Sequence, residues 1–259
     1  MAEATTGYYR SGESWLHRRS PITKLLALGL VLLASFALPP AALAPLLFII
    51  VLAGWSAGLL RPMLASLRIP IVLFASIVLV NAFFFPGARD VIVQLGPAAL
   101  TSEGLAFGVI SAGRLLVVFL ASVLFLFTTL ADDILESLVA RGVSHRLAFV
   151  VLSVVQMVPR MQARAGAILE AQQARGLPIT GSILTRARAL VPLIGPVILG
   201  SLIDVRERTF ALEARGFGTR PDRTSYRRVT DPPADRWLRV AIVVAAVAVV
   251  ASVVLGLGR

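Results

Sequence analysis

Five long apolar runs, each near bilayer-crossing length, leave this chain few ways to fold. They cover residues 22–38, 41–60, 69–85, 104–130 and 237–257. About 20 consecutive apolar residues carry an α-helix across hydrocarbon; the first and third runs are a little short and the fourth is the longest. Pro39 and Pro40 end the first run, Arg61 and Pro62 the second, Pro86 and Gly87 the third. Proline cannot continue a helix, so these are real stops. Residues 88–103 form a mixed stretch before the fourth run. Of the 259 residues, 57% are hydrophobic and only 15% charged, which fits the membrane class. The expected fold is an all-α integral membrane protein with about five transmembrane helices and a cytoplasmic domain of amphipathic helices.

Basic residues set the orientation. Cytoplasmic flanks carry the arginine and lysine excess. Arg18, Arg19 and Lys24 place the N-terminus inside, and Arg61 with Arg68 place the second turn inside. The turn at 38–41 is uncharged. Residues 87–103 carry Arg89 against Asp90 and Glu103, so both segments lie outside. The fourth helix then returns to the cytoplasm at Thr128-Thr129. Net charge is +11 with a single lysine, Lys24, and the arginines flank apolar runs. That pattern points to loops beside anionic lipid, not to nucleic acid. Residues 1–20 lack the signal-peptide order of base, short apolar core and small-residue cleavage site.

The expected domains are 1–130 (tail and four membrane helices), 131–236 (cytoplasmic helices) and 237–259 (last membrane helix). Thr129, with Asp132 three positions on, reads as a capping box that opens the cytoplasmic part. Ile134, Leu135, Leu138 and Val139 form one apolar face, and Gly142 ends that helix. Residues 147–158 and 189–203 are apolar but lie between arginine-rich flanks, and Pro192 and Pro196 interrupt the second. Both read as short interfacial or protein-packed helices rather than spans. A polar linker at 219–235, with Pro221, Pro232 and Pro233, leads to the last helix.

Two short boxes stand out in the basic region. Ala171-Gln172-Gln173-Ala174-Arg175-Gly176 returns forty positions later as Ala211-Leu212-Glu213-Ala214-Arg215-Gly216, with four of six positions identical. Glycine is the usual residue just past a helix, and Pro178 bars continuation after the first box. Each box so places an arginine on the last turn, at the negative pole of its helix. One such box is a helix stop. Two with the same lead-in read as twin docking tips: Ala174, Arg175, Gly176 and Ala214, Arg215, Gly216.

No phosphate-cradling loop ending in Gly-Lys-Ser/Thr is possible around the single lysine, and no Gly-x-Ser-x-Gly elbow occurs. Cysteine is absent, and His17 and His145 lack metal-ligand spacing. No cofactor is expected. Asp132, Asp133 and Glu136 read as acids on a first helical turn. Arg114 lies ten positions into the fourth run, about 15 Å deep by helical rise. It snorkels to the outer headgroups or pairs inside the protein, with direct substrate contact as the lesser alternative. Asn81 is a milder intramembrane polar residue.

With these residues in view, the chain resembles the transmembrane T component of energy-coupling-factor importers of vitamins and metal ions, the family that includes the cobalt-transport permease. The resemblance covers most of the chain. It rests on Ser14-Trp15-Leu16-His17-Arg18-Arg19-Ser20-Pro21-Ile22-Thr23-Lys24-Leu25, on Thr128-Thr129 before an acidic helix, on Val158-Pro159, and above all on the paired Ala-Arg-Gly boxes. The second box is often followed by tyrosine in that family; here it is Phe217. The resemblance implies a non-catalytic subunit in a prokaryotic plasma membrane. Two cytoplasmic ABC ATPase subunits would bind the boxed tips, and a substrate-binding S component would pack on the apolar sides of the coupling helices. The alternatives from the residues alone are an integral-membrane enzyme whose arginines hold anionic lipid, and a membrane anchor that gathers soluble partners.

Overall fold

A computed structural model describes Tyr9, Arg10, Gly12 and residues 14–86, 90–95, 98–176, 183–217 and 232–256. The chain is all-α apart from one small hairpin among these residues. The helices are α1 (Pro21–Ala37), α2 (Leu43–Ser56, after a 3-10 turn at Pro40–Ala42), α3 (Leu60–Ser66), α4 (Ile71–Phe84), α5 (Ser102–Thr128), α6 (Ala131–Val139), α7 (His145–Ala174), α8 (Ile183–Ala214) and α9 (Pro233–Val254). The hairpin pairs β1 (Val91–Leu95) antiparallel with β2 (Ala98–Thr101). It occupies the stretch that the sequence left as mixed. Val91, Ile92 and Val93 suit a strand, but five residues are too few for a periodicity signal.

Packing divides the chain into two units: 1–138 with 229–259, and 139–228. In the first, α5 is the central helix and packs on α1, α2, α3 and α4, while α9 lies on α1. Its own N-terminus is well made. Thr101 Oγ1 accepts the Gly104 N–H at 3.2 Å, and Glu103 sits in the first turn. Gly104, Gly108 and Ala112 repeat every four residues, and this face meets α4. A Cβ on Gly104 would collide with the Asn81 carbonyl, and one on Gly108 would come within 3.0 Å of the Val78 backbone. Small residues at this spacing let two membrane helices approach to backbone contact. At the other end of α5, Val117, Leu120, Leu124 and Phe127 close a core with Ile50 of α2 and Met63 of α3.

Two helices, α5 and α9, are each long and apolar enough to cross a membrane. The third run is α4; the stretch read as the turn before it forms α3, and α3 with α4 meets that test together across a 54° bend, while α1 and Pro40–Ser56 are shorter apolar helices. Among the described residues, five apolar segments thus exist, of which two are straight spans by length. Of the most apolar stretch of α9, only 6% of residues are buried, and α4 exposes Ile71, Val72, Leu79 and Phe84. Such surfaces suit hydrocarbon.

Three expectations are corrected. The apolar runs 147–158 and 189–203 are not short separate helices; they are parts of α7, 30 residues, and α8, 32 residues. Pro159 sits inside α7, and Pro192 and Pro196 inside α8. An interior proline removes one backbone bond and costs about 3 kcal/mol, which long flanking helices can absorb. Thr129 does not cap α6. It is extended (φ −133°, ψ 125°) at the end of α5, and its buried hydroxyl finds no hydrogen-bond partner among the described residues. The first intrahelical bond of α6 runs from the Ile134 N–H to the Leu130 carbonyl. Gly142 does follow α6 as a stop, at φ +99°. Pro178 and residues 219–231 of the linker lie outside the described residues.

Candidate functional site

Both boxes end helices. Ala174 is the last residue of α7, Arg175 is its C-cap, and Gly176 takes φ +90° with its N–H on the Gln173 carbonyl at 2.9 Å. Ala214 is the last residue of α8, and Gly216 takes φ +70°. There the closure is complete: the Gly216 N–H reaches the Glu213 carbonyl and the Phe217 N–H the Leu212 carbonyl, both at 2.9 Å. This pair of reversed bonds is the Schellman motif, and it needs the left-handed residue that glycine supplies. Ala174, Arg175, Ala214 and Arg215 are exposed. Among the described residues, neither guanidinium is paired with a carboxylate.

The second unit sets these two ends in a defined relation. Arg164 of α7 bonds Asp204 of α8 through both of its terminal nitrogens, at 2.7 and 2.8 Å. The ring of Phe149, near the start of α7, lies 4.7 Å from that of Phe217, just beyond α8. Moving forward along α7 therefore means moving backward along α8, and the helices run antiparallel. Arg164 and Asp204 are forty residues apart, the same interval as the boxes, so each lies eleven residues before its own box arginine. By helical rise the two tips stand about 16 Å along their own helices from the crossing, and so about 30 Å from each other in opposite directions. The two helices thus meet at residues separated by the same forty-residue interval as the boxes. The bond to Arg164 holds the Asp204 carboxyl below its ordinary range, and Asp204 in turn raises Arg164. The attraction is thus present at neutral pH and fades only as acid protonates Asp204.

In the first unit, the 14–25 stretch and the Thr128 end of α5 come together. Lys24, the only lysine, is buried and donates to the Thr128 carbonyl at 2.7 Å, at the last turn of α5. A cation there satisfies an orphan carbonyl and the helix dipole. Trp15 Nε1 donates to Ser56 Oγ at 3.0 Å. His17 Nδ1 lies 2.6 Å from Ser14 Oγ, Nε2 lies 3.1 Å from the Arg10 carbonyl, and burial lowers the pKa of the ring. Asp235, in the first turn of α9, is wholly buried and accepts from Arg19 Nη1 at 2.8 Å and from the Ser20 N–H at 2.6 Å. Ser20 is the N-cap of α1 and makes no side-chain cap of its own. Asp235 thus caps α1 from another helix. Lys24 could have been singled out as the sole lysine inside an apolar run; Asp235 gave no sequence signal beyond its place after Pro232-Pro233.

Arg114 stays apart from both clusters. It is half-buried on α5, its carbonyl accepts from Ser35 Oγ at 3.3 Å, and its Nε is buried without a hydrogen-bond partner among the described residues. An unmet buried donor costs about 1–3 kcal/mol. Arg114→Leu is therefore expected to hold or raise the thermal midpoint of the detergent-solubilised chain. A clear drop in that midpoint would mean that the guanidinium has an internal partner after all.

A model of the cobalt transport protein family (CbiQ) matches residues 12–226. The energy-coupling factor transporter transmembrane protein EcfT of Thermosediminibacter oceani is 30% identical over 91% of this chain and 92% of its own length. That of Lacticaseibacillus paracasei is 33% identical over 88% and 90%. A putative ABC transporter ATP-binding protein of Bifidobacterium longum is 28% identical over 92% of this chain but only 32% of its own length. The family match spans both boxes, both halves of the ion pair and the lead-in to α1, and on it the chain belongs to the cobalt transport protein family and is a transmembrane T component of the energy-coupling-factor type.

Proposed function

We propose that the chain couples two cytoplasmic ABC ATPases to a substrate-binding S component that imports a vitamin or a metal ion. The observation that carries this reading is the pairing of equal tips, at 175 and 215, on either side of the Arg164–Asp204 crossing. Two like sockets on two like ATPases are what such a near-symmetric pair fits. Ala174, Arg175 and Gly176 dock on one ATPase, and Ala214, Arg215 and Gly216 on the other. Support for an ATPase partner also comes from the Bifidobacterium longum protein, in which a stretch like this chain makes up about a third of a longer chain named as ATP-binding. The S component packs on the apolar sides of α7 and α8, where Val151, Val154, Ile198 and Leu202 are exposed. ATP-driven closing of the ATPases moves the tips, and the helix pair passes that motion to the S component. The N-terminus, residues 131–236 and both tips are cytoplasmic, and the membrane is the prokaryotic plasma membrane. ATP is hydrolysed by the partners, and substrate is chosen by the S component.

Affinity purification of the tagged chain from its own membranes tests this. Two ABC ATPases and a small membrane protein are expected to co-purify, and ATP-dependent uptake in vesicles is expected to need all of them. Enzymatic turnover by the chain alone, or a preparation free of ATPase, would overturn the reading.

A further inference from the structure

A cavity of about 180 Å³ opens where α7 and α8 cross. Arg160, Arg164 and Arg208 line it, against one carboxylate, Asp204. That carboxylate is already held by Arg164 through two bonds. Glu207 also faces Arg164, but Glu207 is exposed and forms no wall of the cavity. Arg160 feels the charge of Asp204 without bonding it, so Arg160 and Arg208 bring two positive charges, one from each helix, with no hydrogen-bonded acid among the described residues. The remaining walls are apolar: Met157, Met161 and Val205. Those walls continue into short exposed apolar rows beside the cavity, Val158 and Met161 on α7 and Val205 on α8, apart from the side chains assigned to the S component.

We propose that this cavity binds the phosphate of an anionic phospholipid, with Arg160 and Arg208 gripping it from opposite helices. Guanidinium forks match phosphate oxygens two at a time, and lysine cannot copy that geometry. A soluble anion would explain the arginines but not the apolar rows beside them. A lipid explains both, since its phosphate is tied to chains that need an apolar bed, and basic amphipathic helices take anionic lipid in this way. The lipid becomes a filler of the crossing, holding α7 and α8 at the spacing that the Arg164–Asp204 bond permits. The inference does not depend on the coupling role, because it concerns the chain by itself.

The test uses the full chain in neutral detergent with Arg164 and Asp204 intact. Native mass spectrometry compares retention of phosphatidylglycerol with phosphatidylcholine. Wild type is expected to prefer phosphatidylglycerol by about tenfold or more, and Arg160→Gln with Arg208→Gln to lose that preference. Arg160→Lys with Arg208→Lys keeps the charge and guards against misfolding; an intermediate preference is expected. Arg206→Gln, an exposed arginine outside the cavity, should change nothing. Four results would overturn the proposal: equal retention of the two lipids, wild-type preference in the glutamine variant, an equal loss in Arg206→Gln, or displacement of the lipid by inorganic phosphate at similar concentration, which would assign the site to the free anion.

Discussion

Reversing the charge at both tips, Arg175→Glu together with Arg215→Glu, is expected to abolish transport and strip the ATPases from the purified chain, while the protein still inserts in the membrane. The two arginines are exposed C-caps with no carboxylate partner among the described residues, so the fold does not lean on them. Inside the protein, the cost is a glutamate at the negative pole of each helix, about 0.3–1 kcal/mol apiece. At a desolvated interface the cost is far larger. Truncating one member of a buried charge pair removes about 2–5 kcal/mol, and reversal adds repulsion. One site weakens the complex by an order of magnitude or more, enough to stop transport in either single variant; both together end binding. Gly176→Val and Gly216→Val should also impair docking, by another route. Among the described residues no atom beyond its chain neighbours lies within 4 Å of a Cβ built on Gly176, so none of them would clash with valine there. It would instead be forced to φ +90°, a conformation that costs a β-branched residue about 1–3 kcal/mol. Co-purification of ATPases with the double glutamate variant decides the matter. Wild-type stoichiometry with intact uptake would reduce the boxes to helix stops.

The parts of the fold that could be read directly are those governed by local rules. Gly142, Gly176 and Gly216 each follow a helix at positive φ, as their place after periodic runs predicts. The fourth run became α5 within two residues at each end. What escaped was set by tertiary contact. α7 and α8 continue through Pro159, Pro192 and Pro196 because length and partner packing outweigh a local penalty that breaks shorter helices. Thr129 has the residue types of a capping box, yet the end of α5 holds it extended, and its hydroxyl has no bond among the described residues. The Arg164–Asp204 pair sat in plain view at the forty-residue interval of the boxes, but nothing local says that two helical residues of opposite sign will meet. Gly104-x-x-x-Gly108 was a signal in hand: small residues four apart in an apolar run mark a close helix contact.

Asp235→Ala is expected to be the most destabilising single change in the membrane unit. Three features of its setting add up. The carboxylate has no solvent exposure, so its bonds are not screened. It takes the Ser20 N–H at 2.6 Å, the bond that the acid of a capping box makes to an N-cap residue. It also holds Arg19 at 2.8 Å, joining the chain before the first helix to the first turn of the last. Removing one partner from a buried ion pair costs about 3–5 kcal/mol, a large part of the 5–15 kcal/mol that holds a typical domain together. α9 has little else to secure it, since it is almost bare toward the membrane and lies on α1. Asp235→Asn separates the contributions. The amide oxygen can still accept from Ser20, while the ion pair is gone, so a smaller loss is expected. Arg19→Gln should cost less again, because Arg19 is 31% exposed and water can take over its role. The order Asp235→Ala, Asp235→Asn, Arg19→Gln should appear in thermal midpoints of the detergent-solubilised chain and in its yield from membranes. If all three variants melt with wild type, the lock between α1 and α9 is not what holds the last helix in place, and the bilayer alone must do it.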